Sequence, residues 1–351
     1  MRLSWLAVSF LLVGFGLSSC SGKEVSGDTS STATNLIDSR ADTSGVDSDS
    51  TNETSTPDTE TTQETGTITD SGETGDSGHT KEELEVRIST GIYRMIDASW
   101  SFTSSLDDKG HVDCWGEGCV DEGKLPTSSF VSLTALGATC GLTPKGELEC
   151  WGPDSLVVYQ YPKTGTFLSV GIGDGYACAV ETSNQIDCWG VSHGKYGDEG
   201  QVTEAPTDGD YIQVATGYYH GCALKTDGSV VCWGLGSSGQ TTPPKEPFKQ
   251  LTAGAYYTCG IDSKDTIQCW GSIRGINPPN GTFVQLDGGR YHACAISTDE
   301  EVSCWGSKGA MSVPEGDYTH VTAGYSYSCA VQTDGRVACW GDDYWGQSSP
   351  P

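Results

Sequence analysis

The tripeptide Cys-Trp-Gly occurs seven times, beginning at Cys114, Cys150, Cys188, Cys232, Cys269, Cys304 and Cys339, at spacings of 36, 38, 44, 37, 35 and 35 residues. A short unit copied at a near-constant period cannot bury its apolar face alone and depends on its neighbours for a core. Each copy opens on an aromatic residue that leads an alternating stretch: Tyr93 (YRMID), Phe130 (FVSLT), Phe167 (FLSVG), Tyr211 (YIQVA), Phe248 (FKQLT), Phe283 (FVQLD) and Tyr318 (YTHVT). Period-2 alternation predicts strands. The units 93–129, 130–166, 167–210, 211–247, 248–282, 283–317 and 318–351 tile the chain to its last residue, and two of them keep a Gly-Gln near their end, at Gly239-Gln240 and Gly346-Gln347.

Within a unit the clearest element is a hairpin, Cys222 to Cys232, whose Thr226-Asp227-Gly228 reads as a three-residue loop with glycine in the left-handed position. That loop sets Leu224 opposite Val230 and Cys222 opposite Cys232 in a non-hydrogen-bonded pair, within disulfide reach. The same loop position holds Gly110, Gly146, Asn184, Gly228, Asp265, Glu300 and Gly335; of these Glu300 is the unexpected one. Six units carry the pair: Cys140–Cys150, Cys178–Cys188, Cys222–Cys232, Cys259–Cys269, Cys294–Cys304 and Cys329–Cys339. In the first unit Ser104 replaces a cysteine and Cys119 follows Cys114, so Cys114–Cys119 is expected as a seventh pair. Thiolate zinc sites would want clustered CxxC spacings, which are absent, so no metal and no cofactor is expected.

Closure into a ring hides strand edges that an open stack would leave, and predicts an all-β, seven-bladed β-propeller. The pattern F/Y-x-x-V-x-x-G-x-x-x-x-C-A-L/V-x-x-D-G-x-V-x-C-W-G, with trailing Gly-Gln and Pro, resembles the regulator of chromosome condensation repeat in its cysteine-rich bacterial form, across all seven units. Ser104, the eroded Gly-Gln of five copies and a long connection at 191–209 depart from it. The resemblance implies a propeller but no single activity, since that family spans a nuclear exchange factor, a plant photoreceptor and secreted enzyme inhibitors.

Ahead of the repeats, Leu6 to Gly16 is an apolar run behind Arg2, too short to span a bilayer and suited to a signal peptide. The following Leu17-Ser18-Ser19-Cys20 resembles the bacterial lipobox, which implies a signal peptide over 1–19, lipidation of Cys20 and an outer-membrane location on an undetermined side. Residues 20–92 read as a disordered acidic linker. From 21 to 80 there are 26 Ser or Thr, from 21 to 92 there are 16 acidic and 4 basic residues, and no Phe, Tyr or Trp lies between 21 and 90. An export signal agrees with 15 cysteines, because disulfides persist outside the reducing cytosol.

The whole chain has 47 acidic against 19 basic residues, a formal charge of −28, which excludes ordinary nucleic-acid binding. In six of the seven units the residues just before the first cysteine, or before Ser104 in the first unit, include aromatics: Trp100, Tyr176, Tyr218, Tyr219, Tyr256, Tyr257, Tyr291, Tyr325 and Tyr327, together with His220 and His292; the second unit has Ala138 there. Repetition places them at common heights around the ring, and on one face they would form an annulus suited to a protein or glycan partner. For the residue two before the cysteine a second placement is open: packing inward between blades, which the resemblance implies for the equivalent histidine. The six histidines occupy mostly different repeat positions, and no nucleophile elbow, metal motif or phosphate loop appears. The expectation is a monomeric, non-catalytic recognition module tethered to a membrane, binding an unknown envelope or extracellular protein or glycan. The alternative is an envelope hydrolase or lyase with its site in the central depression.

Overall fold

The computed structural model describes residues 87–119, 124–153, 156–190, 197–272, 277–306 and 312–351. Residues 1–86, on which the expected signal peptide, Cys20 and most of the expected acidic linker fall, lie outside the described residues.

Seven antiparallel sheets follow one another along the chain, each a meander of three strands. In the fourth blade these are Tyr211–Thr216, His220–Lys225 and Val230–Gly234. The first strand of each blade packs against the first strand of the next, and Tyr318–Ala323 packs against Tyr93–Ala98, which closes the ring. The seven first strands surround a central channel. Second strands are buried almost throughout, as in Tyr257–Asp262, because both of their faces meet neighbouring blades. The core therefore lies between blades, where Tyr257, Cys259 and Ile261 of one blade meet Phe283, Leu286 and Trp305 of the next.

The hairpin loops hold the register expected from sequence. Leu224 faces Val230 and Cys222 faces Cys232, and all seven loop residues have positive φ, including Asn184, Asp265 and Glu300. All seven expected disulfides form, Cys114–Cys119 among them. Six cross-link neighbouring strands of one hairpin, and each closes a short loop that contributes about 2–3 kcal/mol on the chain-entropy account.

The ring is sealed by a strand that the sequence reading leaves in the linker. Arg87–Ile88 pairs antiparallel with the last strand, Val337–Gly341, as a fourth strand of the seventh blade. Ser89 donates its amide to Val337 O and accepts the Val337 amide on its hydroxyl, 2.8 and 2.9 Å, while the Thr90 amide reaches Pro351 O. The ordered propeller thus begins before Tyr93, and its first and last strands lie in one sheet.

Four of the Cys-Trp-Gly tryptophans tie a blade to the one before it. Trp233 and Trp270 donate their indole N–H to the carbonyls of Gln201 and Gln240, and Trp115 closes the circle on Gln347. Gly200-Gln201 is thus a third Gly-Gln, hidden in the sequence by the long third repeat. Where the second repeat lacks that loop, the short helix Leu156–Gln160 supplies the Val157 carbonyl to Trp189 instead.

Candidate functional site

The residue two before each first cysteine opens the second strand rather than lying in the turn, and so shares a face with that cysteine. This corrects the placement of Tyr176, Tyr257 and Tyr327 on a binding face: all three are buried between blades. Their hydroxyls donate across the interface, Tyr176 to Gly217 O and His220 O, Tyr257 to Gly289 O and His292 O, and Tyr327 to Phe102 O. Each ring lies over a glycine five residues before the cysteine. A Cβ on Gly254 would stand 2.0 Å from the Tyr257 ring, so the ring and the glycine come as a pair. His220 and His292 occupy the same slot and are fully buried, with Nε2 against Thr258 Oγ1 and Ser328 Oγ, both at 2.9 Å. Burial pushes both imidazoles down to a pKa of about 4, so they are neutral at physiological pH.

The first strands present unpaired backbone to the channel, an edge that must be satisfied. Side chains of the preceding blade do this. Gln213, Gln250 and Gln285, third in their strands, accept the amides of Leu251, Leu286 and Val321 and donate to the carbonyls of the same residues. His320 donates from Nε2 to Ile96 O in the equivalent place. Two residues further on, Asp97 accepts the Ala135 amide, Asp287 the Ala323 amide and Thr322 the Ala98 amide.

The Thr322 hydroxyl also lies 3.1 Å from Asp97 Oδ1 and 3.0 Å from Asp287 Oδ2. It has one proton and two carboxyl neighbours, so the arrangement is satisfied when one acid is protonated. Burial, then the adjacent Asp287, hold the Asp97 carboxyl well above the usual carboxylate range. Among the described residues no group of three or more His, Cys, Asp or Glu side chains is arranged to hold a metal ion. The acids of the central depression are thus already engaged in joining blades 1, 2, 6 and 7.

At the end of the first strands the chain turns, and in six of the seven blades the residue four before the first cysteine, or before Ser104 in the first blade, rims the channel mouth. These are Trp100, Leu136, Tyr218, Ala255, Arg290 and Tyr325, while the third blade has Asp174 at this position. Backbone bonds run from blade to blade beneath part of the rim, Tyr218 N to Ala255 O, Ala255 N to Arg290 O, Arg290 N to Gly324 O and Tyr325 N to Ser99 O, so it stands on a hydrogen-bonded arc from blade 4 through blade 7 to blade 1. Trp100, Tyr291 and Tyr325 are 38%, 44% and 39% exposed, and Tyr256 is half-buried. Tyr218 and Tyr219 are largely buried within the rim. Tyr218 meets Trp100, Tyr219 and Tyr256 at ring separations of 6.1–6.2 Å, and the Tyr219 hydroxyl donates to Asp174. The Arg290 guanidinium lies 4.1 Å from the centre of the Tyr325 ring, 4.6 Å from Tyr291 and 5.6 Å from Tyr218. The sequence reading omitted Arg290; its position in the repeat, the one held by Trp100, Tyr218 and Tyr325, was the available signal.

At the other end of the first strands a register shift follows the opening aromatic in six blades, a β-bulge. It turns outward the residue after the aromatic, leaving Leu168, Ile212 and Val284 exposed, with Val131 exposed at the matching position of the second blade.

The family model described as the regulator of chromosome condensation (RCC1) repeat matches residues 211–240 and 318–347, the fourth and seventh units. Among curated proteins, none matches the chain significantly. Among solved structures, the chain is similar to the CRINKLY WD40 ectodomain of the Arabidopsis thaliana receptor kinase ACR4 at 28% identity and TM-score 0.60, covering 72% of this chain and 98% of that one. The ectodomain of the Physcomitrella patens receptor kinase CR4 is 24% identical with TM-score 0.62, covering 72% of this chain and 74% of that one. Human WBSCR16, at 13% identity and TM-score 0.54, covers 73% and 88% and shares the fold.

Proposed function

We propose that this chain, an RCC1-like repeat propeller, is a non-catalytic recognition module that takes a protein partner on the aromatic rim of its channel. The carrying observation is the rim itself: Trp100, Tyr218, Tyr256, Tyr291 and Tyr325 gathered with Arg290 on one face, on a hydrogen-bonded backbone arc. Tyr, Trp and Arg are the residues that dominate binding energy at protein interfaces, and a rigid rim loses little entropy on binding. The similarity to a receptor-kinase ectodomain supports a propeller working outside a membrane. The acids lining the channel serve blade-to-blade bonding, which favours binding over catalysis.

In this reading the lipobox-like Cys20 holds the protein at the outer membrane of a bacterium, and the acidic linker carries the propeller away from it. The test is affinity capture from envelope extracts with wild type, with Trp100→Ala/Tyr291→Ala/Tyr325→Ala, and with Leu168→Ser/Val284→Ser on the opposite face. Partners held by wild type and the opposite-face variant but lost from the rim variant support the proposal; partners indifferent to the rim variant overturn it. Separately, Cys20→Ser should move the protein from the membrane to the soluble fraction.

A further inference from the structure

Among the described rim residues Arg290 is the basic one, and its charge meets ring faces and no carboxylate. Among the described residues it forms no salt bridge, and its Nε is buried without an acceptor. Beside it the Tyr218 hydroxyl, on a side chain only 7% exposed, also lacks an acceptor for its proton. Both residues line the same cavity, and two buried donors left unsatisfied cost free energy that a ligand acceptor reaching them would recover. The guanidinium carbon lies 4.1–5.6 Å from the ring centres of Tyr218, Tyr291 and Tyr325, and ring contacts of this kind leave its N–H groups without an anionic acceptor.

We infer that the channel mouth is a carboxylate-reading site, in which Arg290 and the Tyr218 hydroxyl receive the carboxylate of a protein segment, either an acidic side chain or a chain terminus. This rests on the proposed recognition role of the rim and names the chemistry that the rim recognises. A planar guanidinium matches a carboxylate in a two-point contact. A single carboxylate charge suits the site better than a phosphate. One guanidinium balances one negative charge, while the propeller carries 31 acidic and 14 basic residues and Asp287 lies three residues from Arg290 on the same chain segment. The cavity of about 270 Å3 falls below the ~300–1,000 Å3 of ordinary small-molecule pockets. It admits one side chain or chain end, with the rest of the segment lying on Trp100, Tyr256 and Tyr325.

The test uses the folded exported protein and a hexapeptide library in which Glu, its isostere Gln and Ala rotate through every position, each peptide made with a free and an amidated C-terminus. Galacturonate oligomers serve as a competitor. Peptides bearing a carboxylate at one position should bind about tenfold or more tightly than their Gln or amide counterparts, and the two arms separate side chain from terminus. Arg290→Met, which keeps the stem between the rings, should abolish that preference, and Arg290→Lys should restore only part of it. Preference for the carboxylate unchanged in Arg290→Met overturns the inference. So does equal binding of Glu and Gln peptides that are nevertheless lost on Tyr325→Ala; that result leaves the rim as a recognition surface and removes the carboxylate. Galacturonate displacing peptide as well as peptide does also overturns it. Failure of wild type to bind any peptide sinks the inference and counts against the rim reading too. Should Arg290→Met not fold, the Glu-to-Gln and amide comparisons on wild type decide alone.

Discussion

Acid should loosen this propeller through two particular side chains. His220 and His292 sit in slots that Tyr176, Tyr257 and Tyr327 fill elsewhere, and their pKa is pushed down to about 4 by burial. In the unfolded chain the same groups titrate near ~6.5. A depressed pKa means that the unfolded state binds more protons between these values. The stability from the two rings is therefore complete above about pH 6.5 and is lost as pH falls toward about 4. At pH 4.5 the unfolded imidazoles are almost fully protonated and the native ones about a quarter so, which integrates to about 2.6 kcal/mol per histidine and about 5 kcal/mol for both. His220→Tyr/His292→Tyr is the informative variant, because Gly217 and Gly289 already provide the flat floor on which Gly254 seats Tyr257. Guanidinium unfolding at pH 7.0 and 4.5 should show wild type losing about 5 kcal/mol more than the variant. Asp97 and His320 titrate in both proteins and cancel in the difference. Equal losses would refute the reasoning, as would carbon-13 titration placing both native imidazoles near pH 6.5.

Three further outcomes follow from local geometry. Glu300 holds φ 66° where four other blades have glycine, so Glu300→Gly should raise stability by about 1 kcal/mol in the same unfolding assay. Ser89→Ala removes the buried acceptor of the Val337 amide; it should cost about 1–2 kcal/mol and speed hydrogen exchange at Val337 and Ser89. Cys222→Ala/Cys232→Ala should lower stability by about 2–3 kcal/mol, with faster exchange across 220–234 and an unchanged fold by circular dichroism.

The blades and their cross-links were legible because they depend on local signals. A left-handed loop residue followed by fixed alternation sets which residues oppose, and Cys222 could meet only Cys232. The rim was half legible. Counting back from the cysteine located Trp100, Tyr218 and Tyr325, but treating the residue two before it as turn put Tyr257 on the surface, when strand parity with Cys259 sends it inward. Arg290 escaped because the search was for aromatic rings, and its role appears only when three tyrosines from blades 4, 6 and 7 converge. The Gln213, Gln250 and Gln285 series is visible at one position of each opening strand, yet its purpose, covering the next blade's free edge, exists only once the ring is closed. Arg87–Ile88 is too short to show alternation, and it borrows its order from the far end of the chain.

That last pairing also decides how the molecule bears force. Any pull transmitted along the preceding chain enters at Arg87, and the first bonds it loads are the two residue pairs to Cys339 and Ala338 and the Ser89 bonds to Val337. The strand it strains is the outermost of its blade, while the six hairpin disulfides and the channel lining lie behind it. Tension entering there would peel this edge before it reached the rim, so the seam would act as a mechanical fuse that yields first and leaves the aromatic rim intact.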